Sequence, residues 1–534
     1  MSIKEEVSNR RTFAIISHPD AGKTTLTEKF LFFAGAIHMA GAVKSNKIKK
    51  TTVSDFMEIE RQRGISVASA VMSFKYAGLK INLLDTPGHK DFAEDTYRTL
   101  TAVDSVILVV DSVKGVEEQT QKLMDVCRMR STPVIIFINK LDREGRPPIE
   151  LLDELEDKLN IKTCPLSWPI GSGSALKGVY SIHAGNLNLF KPHSGRGGDD
   201  IHRIPDLDSP ETEKLLGEYE LSRLKDDLLL VDGVYDDFDR DEYLKAETAP
   251  VFFGSALNNF GVKELLDTFV EIAPPPGAME SDKRIVHPEE EEFSGFVFKI
   301  HANTDPRHRD RIAFLRVCSG RFERNKFYKN TRSGEDLRFP APAAFLGAQK
   351  DIIEEAFPGD VIGLYDRKNF KIGDTLTGGS GISFKGIPNF SPEFFKELAY
   401  TSMKIKQLNK GIQQLMDEGV AQLFIMKDTN RKIVGTVGQL QFEVIKYRLE
   451  HEYGAECRFE PVNAYKACWI TSDNREKLEE FCRYKADKIA LDRYGNTVFF
   501  LESEWMLDHH MKENPEISFY FTSEFEKSKE NSRG

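Results

Sequence analysis

The chain has 534 residues, 40% of them hydrophobic and 29% charged, and carries a formal net charge of −11. That length exceeds what one hydrophobic core supports, so about three domains are expected, and the acidic balance argues against general nucleic-acid binding. The charged start Met1-Ser2-Ile3-Lys4-Glu5-Glu6 does not read as a signal peptide, no apolar run reads as long enough to span a membrane, and six scattered cysteines without a Cys-x-x-Cys pair suggest neither a zinc ribbon nor a redox motif.

In chain order, Thr12–Ser17 reads as a short buried strand and Lys23–Phe33 as a helix. Between them runs Ser17-His18-Pro19-Asp20-Ala21-Gly22-Lys23-Thr24. A phosphate-binding loop needs inward N–H groups at a helix N-terminus, a lysine for the β- and γ-phosphates and a hydroxyl for Mg²⁺. Gly22, Lys23 and Thr24 supply these, while Ser17 stands where the first glycine of the pattern is usual. The next strand, Ile81–Asp85, runs into Asp85-Thr86-Pro87-Gly88-His89. There a strand-end carboxylate can reach Mg²⁺ through water and a glycine N–H can meet a γ-phosphate, although Asp, Pro and Gly also favour plain turns.

Ser105–Asp111 and Pro133–Asn139 are further strands, and such alternation with helices predicts a doubly wound parallel sheet. Asn139-Lys140-Leu141-Asp142 follows the second of them. The Asp142 carboxylate can accept from guanine N1–H and the 2-amino group, donors that adenine lacks there, and the Lys140 stem can lie along the ring. A last strand, Val251–Gly254, leads into Gly254-Ser255-Ala256-Leu257 and a helix Val262–Ile272. In that position the Ala256 N–H would face guanine O6 and Ser255 would brace Asp142. Each segment alone has a bland alternative. Four in fixed order, each at the carboxyl end of a strand, point to a site for GTP or GDP with Mg²⁺.

The fold expected is therefore α/β, a doubly wound P-loop domain over residues 1–278 with an insertion at about 160–249. A β-barrel with regularly spaced Gly turns follows over 290–387, and a C-terminal α+β domain over 390–534. The acidic run Tyr235–Glu242 reads as a solvated face. Helices are expected over Met403–Asp417 and Leu440–Glu452, the last residues Glu524–Gly534 read as a polar tail, and no internal repeat is visible.

The segments His18–Thr25, Arg63-Gly64-Ile65-Ser66, Asp85–His89 and Asn139–Asp142 resemble the translational GTPases. With Asp55–Ser66, Ser167–Gly173, Arg311–Phe322 and Val437–Glu443, the chain looks most similar to the class II peptide chain release factors of bacteria. The resemblance implies that His89 is catalytic and orients the attacking water. It implies that Ser66, where most of the superfamily has Thr, joins Thr24 and (through water) Asp85 at Mg²⁺. It implies a cytoplasmic, monomeric, ribosome-activated GTPase that stimulates dissociation of class I release factors. Its partners would be ribosomal RNA, large-subunit stalk proteins and those release factors. Two basic groups, Lys44, Lys47, Lys49, Lys50 and Arg307, Arg309, Arg311, are candidates for RNA phosphates. Rival readings are a shortened elongation-type or ribosome-assembly GTPase, which the short stretch after the barrel opposes, and a non-hydrolysing GTP sensor, which His89 opposes. His509-His510 has no partnered ligand in sequence.

Overall fold

The computed structural model describes residues 2–37, 60, 66–190, 201–302, 311–346, 349–366, 370–385, 391–400 and 404–521. The lysine group at 44–50, residues 55–65 apart from Glu60, Arg307, Arg309, Met403 and the polar tail lie outside them.

The apolar runs of the first domain become parallel strands. Their spatial order is Leu79–Asp85, Arg10–Ser17, Ser105–Asp111, Val134–Asn139 and Thr248–Phe253. Alternate residues serve opposite faces. Ala14, Ile16, Leu108 and Ile138 enter one core, and Phe13, Ile15, Ile107 and Phe137 the other. The register sets Ile15 beside Asp85, Ser17 beside Val109 and Asp111 beside Asn139, so all these carboxyl ends share one edge.

A further parallel strand, Lys162–Pro165, pairs outside Thr248–Val251. The segment between Pro165 and Thr248 stands outside this parallel sheet. It contains an antiparallel sheet of Ser167–Ile170, Gly178–Ser181, Asn186–Phe190 and Ile201–Ile204, followed by helices that include Glu218–Val234. Trp168 ties it down: its indole N–H donates to Asp227 at 3.2 Å and its ring packs edge-on against Phe253.

At the opposite edge Ala70–Tyr76 lies antiparallel to Leu79–Asp85, and Met72 pairs with Leu346 of the barrel strand Ala343–Leu346. The two domains thus share one continuous sheet. The antiparallel barrel strands, among them Ser294–Ala302, Arg311–Ser319 and Val361–Tyr365, enclose Val297, Leu315, Phe322, Tyr328 and Leu376. Buried polar contacts lock barrel to sheet. Asp360 accepts from Lys80 Nζ at 2.8 Å and faces Arg10 Nε at 3.1 Å, and Arg316 donates to Asp104 at 2.6 Å.

Burial would raise the Asp360 carboxyl, but Lys80 and Arg10 outweigh it and hold the group below the usual aspartate range. Its contribution to stability is complete above the ordinary aspartate pKa of about 3.9 and is lost as pH falls through the lowered value. Asp360→Ala leaves a buried guanidinium short of a partner and should cost about 3 kcal/mol, read as a lower denaturant midpoint at neutral pH.

The C-terminal domain is α+β, as expected, with a repeated topology that the sequence does not display. It is two βαββαβ units in one sheet. The first comprises Phe394–Tyr400, Ile405–Asp417, Gln422–Met426, Lys432–Thr436, Leu440–His451 and Cys457–Pro461. The second comprises Lys466–Thr471, Arg475–Tyr484, Ile489–Asp492, Thr497–Leu501, Glu504–Glu513 and Ser518–Tyr520. Gln422–Met426 and Ile489–Asp492 join them. A topology is repeated here without a repeated sequence.

Arg311 departs from the sequence reading. It is buried, pairs with Asp366 and Asp417 at 2.8 Å each, and ties the barrel to the helix Ile405–Asp417, so it does not belong to an RNA-facing patch. His510 is enclosed by Phe481 and Phe499, while His509 stacks on Trp505. All six cysteines are buried and unbridged, and among the described residues no helix is long and apolar enough to cross a membrane.

Candidate nucleotide site

The shared edge of the parallel strands gathers the four sequence segments. Gly22 turns the loop after Arg10–Ser17 with φ +100°, and the helix Lys23–Phe33 begins at the next residue. A Cβ on Gly22 would fall 2.3 Å from Asn139 Nδ2, so the position is restricted by space as well as by φ. The first turn of the helix leaves N–H groups without intrahelical partners and directs them into the loop. Lys23 and Thr24 stand at that turn, and Lys23 pairs with Asp85 at the end of the neighbouring strand. Ser17 is buried and donates to the His18 carbonyl at 2.8 Å. His18 is also buried, 3.5 Å from Glu117, and burial pushes its imidazole below the ordinary value despite that carboxylate. Pro19, Asp20 and Ala21 complete the loop. Asp20 and Lys140 both hold positive φ, 66° and 70°, and Lys140 Nζ donates to the Asp20 carbonyl.

Asn139 stitches the loops together. Its Nδ2 donates to the Ala21 carbonyl at 2.7 Å, and its Oδ1 accepts from the Ala256 N–H at 2.8 Å. The Ala256 N–H expected to face guanine O6 is thus engaged within the protein, where it holds the loop Gly254–Leu257 in place. Ser255 Oγ donates to Asp142 Oδ1 at 2.5 Å, the bracing expected of it. Leu141 is buried and its N–H donates to the Gly254 carbonyl at 3.2 Å, whereas Leu257 is exposed. These contacts leave the Asp142 Oδ2 as the carboxylate oxygen not bound by Ser255.

On the phosphate side, Thr86 Oγ1 donates to the Ile15 carbonyl at 2.8 Å and anchors the turn through Pro87 to Gly88. A Cβ on Gly88 would lie 3.4 Å from the His18 carbonyl and 3.5 Å from Pro19 Cα, so that turn and the phosphate loop approach closely. His89 follows, partly exposed, with Nδ1 accepting from the Asp91 N–H at 3.2 Å. Ser66 is half-buried at the head of the segment Ser66–Ser69. Glu60 fastens that segment by accepting from the Val67 and Ala68 N–H groups, and Asp95 by accepting from Ser69.

Residues 8–275 match the family described as the elongation factor Tu GTP binding domain, residues 292–379 match elongation factor G domain 2, and residues 384–511 match the class II release factor RF3 C-terminal domain. The chain belongs to the translational GTPases of the class II release factor type. A solved structure of a protein from Thermus thermophilus shares the fold, with a TM-score of 0.69 and 22% identity over 88% of this chain and 71% of that one.

Membership makes the protein a GTPase whose nucleotides are GTP and GDP and whose family acts on the ribosome. Beside Lys23, the residues Thr24 and Asp85 offer a hydroxyl and a carboxylate, hard oxygens of the kind that suit Mg²⁺ rather than a softer metal. Sequence reasoning missed several groups that shape the site of this GTPase. Asp111 is one. Lys140 Nζ donates to it at 2.7 Å, which fixes the lysine stem. Burial would raise its carboxyl, but Lys140 and the Val113 N–H hold it low. Its signal was a carboxylate ending the strand next to Asn139–Asp142. Glu60, Asp91 and Asp95 had no comparable local signal, because their partners are set by tertiary contacts.

Proposed function

We propose that this protein uses GTP to drive class I release factors off the ribosome after peptide release, and that the ribosome stimulates its hydrolysis. One observation carries the reading: a GTP-binding domain, an elongation-type barrel and a class II release factor C-terminal domain stand in one chain. The geometry supports a division of labour among the residues. Asp142, braced by Ser255, would read the guanine edge, and Lys140, held by Asp111, would support the ring. The loop from Ser17 to Thr24 would cradle the phosphates, with Lys23 shifting from Asp85 to the β- and γ-oxygens. Thr24, Ser66 and, through water, Asp85 would hold Mg²⁺, which when bound neutralises charge on those phosphates. Gly88 would donate its N–H to the γ-phosphate and His89 would orient the water.

The γ-phosphate would order both the segment ending at Ser66 and the turn at Gly88. Such ordering changes how the first domain sits against the barrel and the C-terminal domain, and the GTP form then favours a ribosome state that holds class I factors poorly. A labelled class I factor on a terminated ribosome should leave roughly 10- to 100-fold faster with this protein and GTP, or a non-hydrolysable analogue, than with GDP. Equal dissociation rates under all three conditions would refute the release-factor role while leaving the GTPase intact.

A further inference from the structure

His89 sits at the head of a single 3-10 turn, Lys90–Phe92, and the side chain in the middle of that turn leaves the domain. Asp91 is 6% exposed, and its Oδ2 accepts from the N–H of Leu440 at 2.6 Å. Leu440 opens the helix Leu440–His451 of the C-terminal domain, and that helix has no capping side chain of its own at Gln439. Asp91 thus serves as the missing cap from another domain, where a carboxylate satisfies an orphan N–H and meets the positive end of the helix dipole.

The receiving surface is shaped for it. A Cβ on Gly438 would lie 2.3 Å from the Cα, Cβ and Cγ of Asp91, so only glycine admits the turn this closely. Gln441 Oε1 accepts from the Val437 and Gly438 N–H groups at 2.9 and 3.0 Å, and Thr436 Oγ1 donates to the Gly438 carbonyl. This explains the segment Val437–Glu443, for which the nucleotide site has no use. Phe92, next in the turn, packs with Val444, Leu440 and Tyr447 of the same helix. On the other side, the Asp91 N–H donates to His89 Nδ1 at 3.2 Å and Asp91 Oδ1 lies 3.5 Å from it.

We infer that Asp91 is a positioning residue for GTP hydrolysis: by capping the helix Leu440–His451 it holds the His89 turn against the C-terminal domain, so that hydrolysis depends on that domain being docked. With Nδ1 accepting the Asp91 N–H, the neutral imidazole carries its proton on Nε2, the nitrogen left to engage an oxygen. Undocking the C-terminal domain removes the cap and lets the turn move. The inference rests on the role proposed for His89.

The test is single-turnover GTP hydrolysis at saturating ribosomes, with GTP affinity measured alongside. Asp91→Ala should lower the hydrolysis rate roughly 10- to 100-fold with GTP affinity unchanged, since displacing a catalytic group by about 1 Å has effects of that size. Asp91→Asn keeps an oxygen for the Leu440 N–H and should restore most of the rate, because Asn caps as well as Asp. Gly438→Ala attacks the same contact from the C-terminal domain, its added methyl pressing on Asp91 while the Asp91 carboxylate itself is kept. It should lower the rate similarly, and combined with Asp91→Ala it should add little. A wild-type or raised rate in Asp91→Ala, a slow Asp91→Asn, or full additivity of the pair would overturn the inference. Loss of rate in His89→Ala with none in Asp91→Ala would overturn it alone, whereas a normal rate in His89→Ala would overturn the catalytic assignment beneath it.

Discussion

Replacing His89 with alanine should slow ribosome-stimulated GTP hydrolysis by roughly 10²- to 10⁴-fold while GTP and ribosome binding hold. The expectation rests on where the side chain stands. Thr86 anchors the strand end to Ile15, Gly88 lies against the loop at His18 and Pro19, and the partly exposed His89 is the first side chain beyond that contact. Orienting a water acts in the transition state, so the loss belongs in the hydrolysis rate and not in ground-state affinity. Under the proposed function, such a variant should displace a class I release factor once and then stay bound, since hydrolysis would be what frees it. The measurement is turnover against ribosome concentration, and a wild-type plateau would remove His89 from catalysis.

A second large effect is expected at the base. Asp142→Asn should weaken GTP binding by roughly 10⁴-fold and create affinity for xanthosine triphosphate. Ser255 Oγ donates to Asp142 Oδ1 at 2.5 Å, and in the asparagine variant that donor would select the side-chain carbonyl. The amide Nδ2 would then face the base. Xanthine presents a carbonyl at position 2 and accepts from it, while guanine presents an amino group and opposes it. The orientation is thus set by Ser255, and Ser255→Ala combined with Asp142→Asn should blunt the switch to xanthine. Titration with both nucleotides decides the matter: unchanged GTP affinity in Asp142→Asn would place the base elsewhere.

Much of the first domain was legible because its signals are local. The strands ending at Asp111 and Asn139 are written in uninterrupted apolar runs, Val106–Val110 and Val134–Ile138, and the helix Lys23–Phe33 opens directly after the loop glycine Gly22. The nucleotide segments were legible as an ordered set on one sheet edge. Arg311 was misread for a physical reason: a run of arginines announces charge but says nothing of burial, and its carboxylates, Asp366 and Asp417, are distant in sequence. The Asp91 cap was hidden likewise, since its helix begins almost 350 residues later. The paired βαββαβ units escaped notice because topology constrains which positions are apolar, not which residues fill them. The contact between the Ala256 N–H and the Asn139 side chain joins residues 117 apart in sequence and has no local signal.

The continuous sheet across Met72 and Leu346 bears on how the chain is made. Ala70–Tyr76 is the outer strand of the first domain, and its sequence, Ala-Val-Met-Ser-Phe-Lys-Tyr, has one charged residue, Lys75, to discourage stray pairing. Its cover, Ala343–Leu346, is synthesised about 270 residues later. At about 5–20 residues per second that edge stays open for tens of seconds on a translating ribosome. A nascent chain that stalls before the barrel would carry a folded nucleotide domain whose outer strand has one open edge, a ready substrate for holdase chaperones and for aggregation.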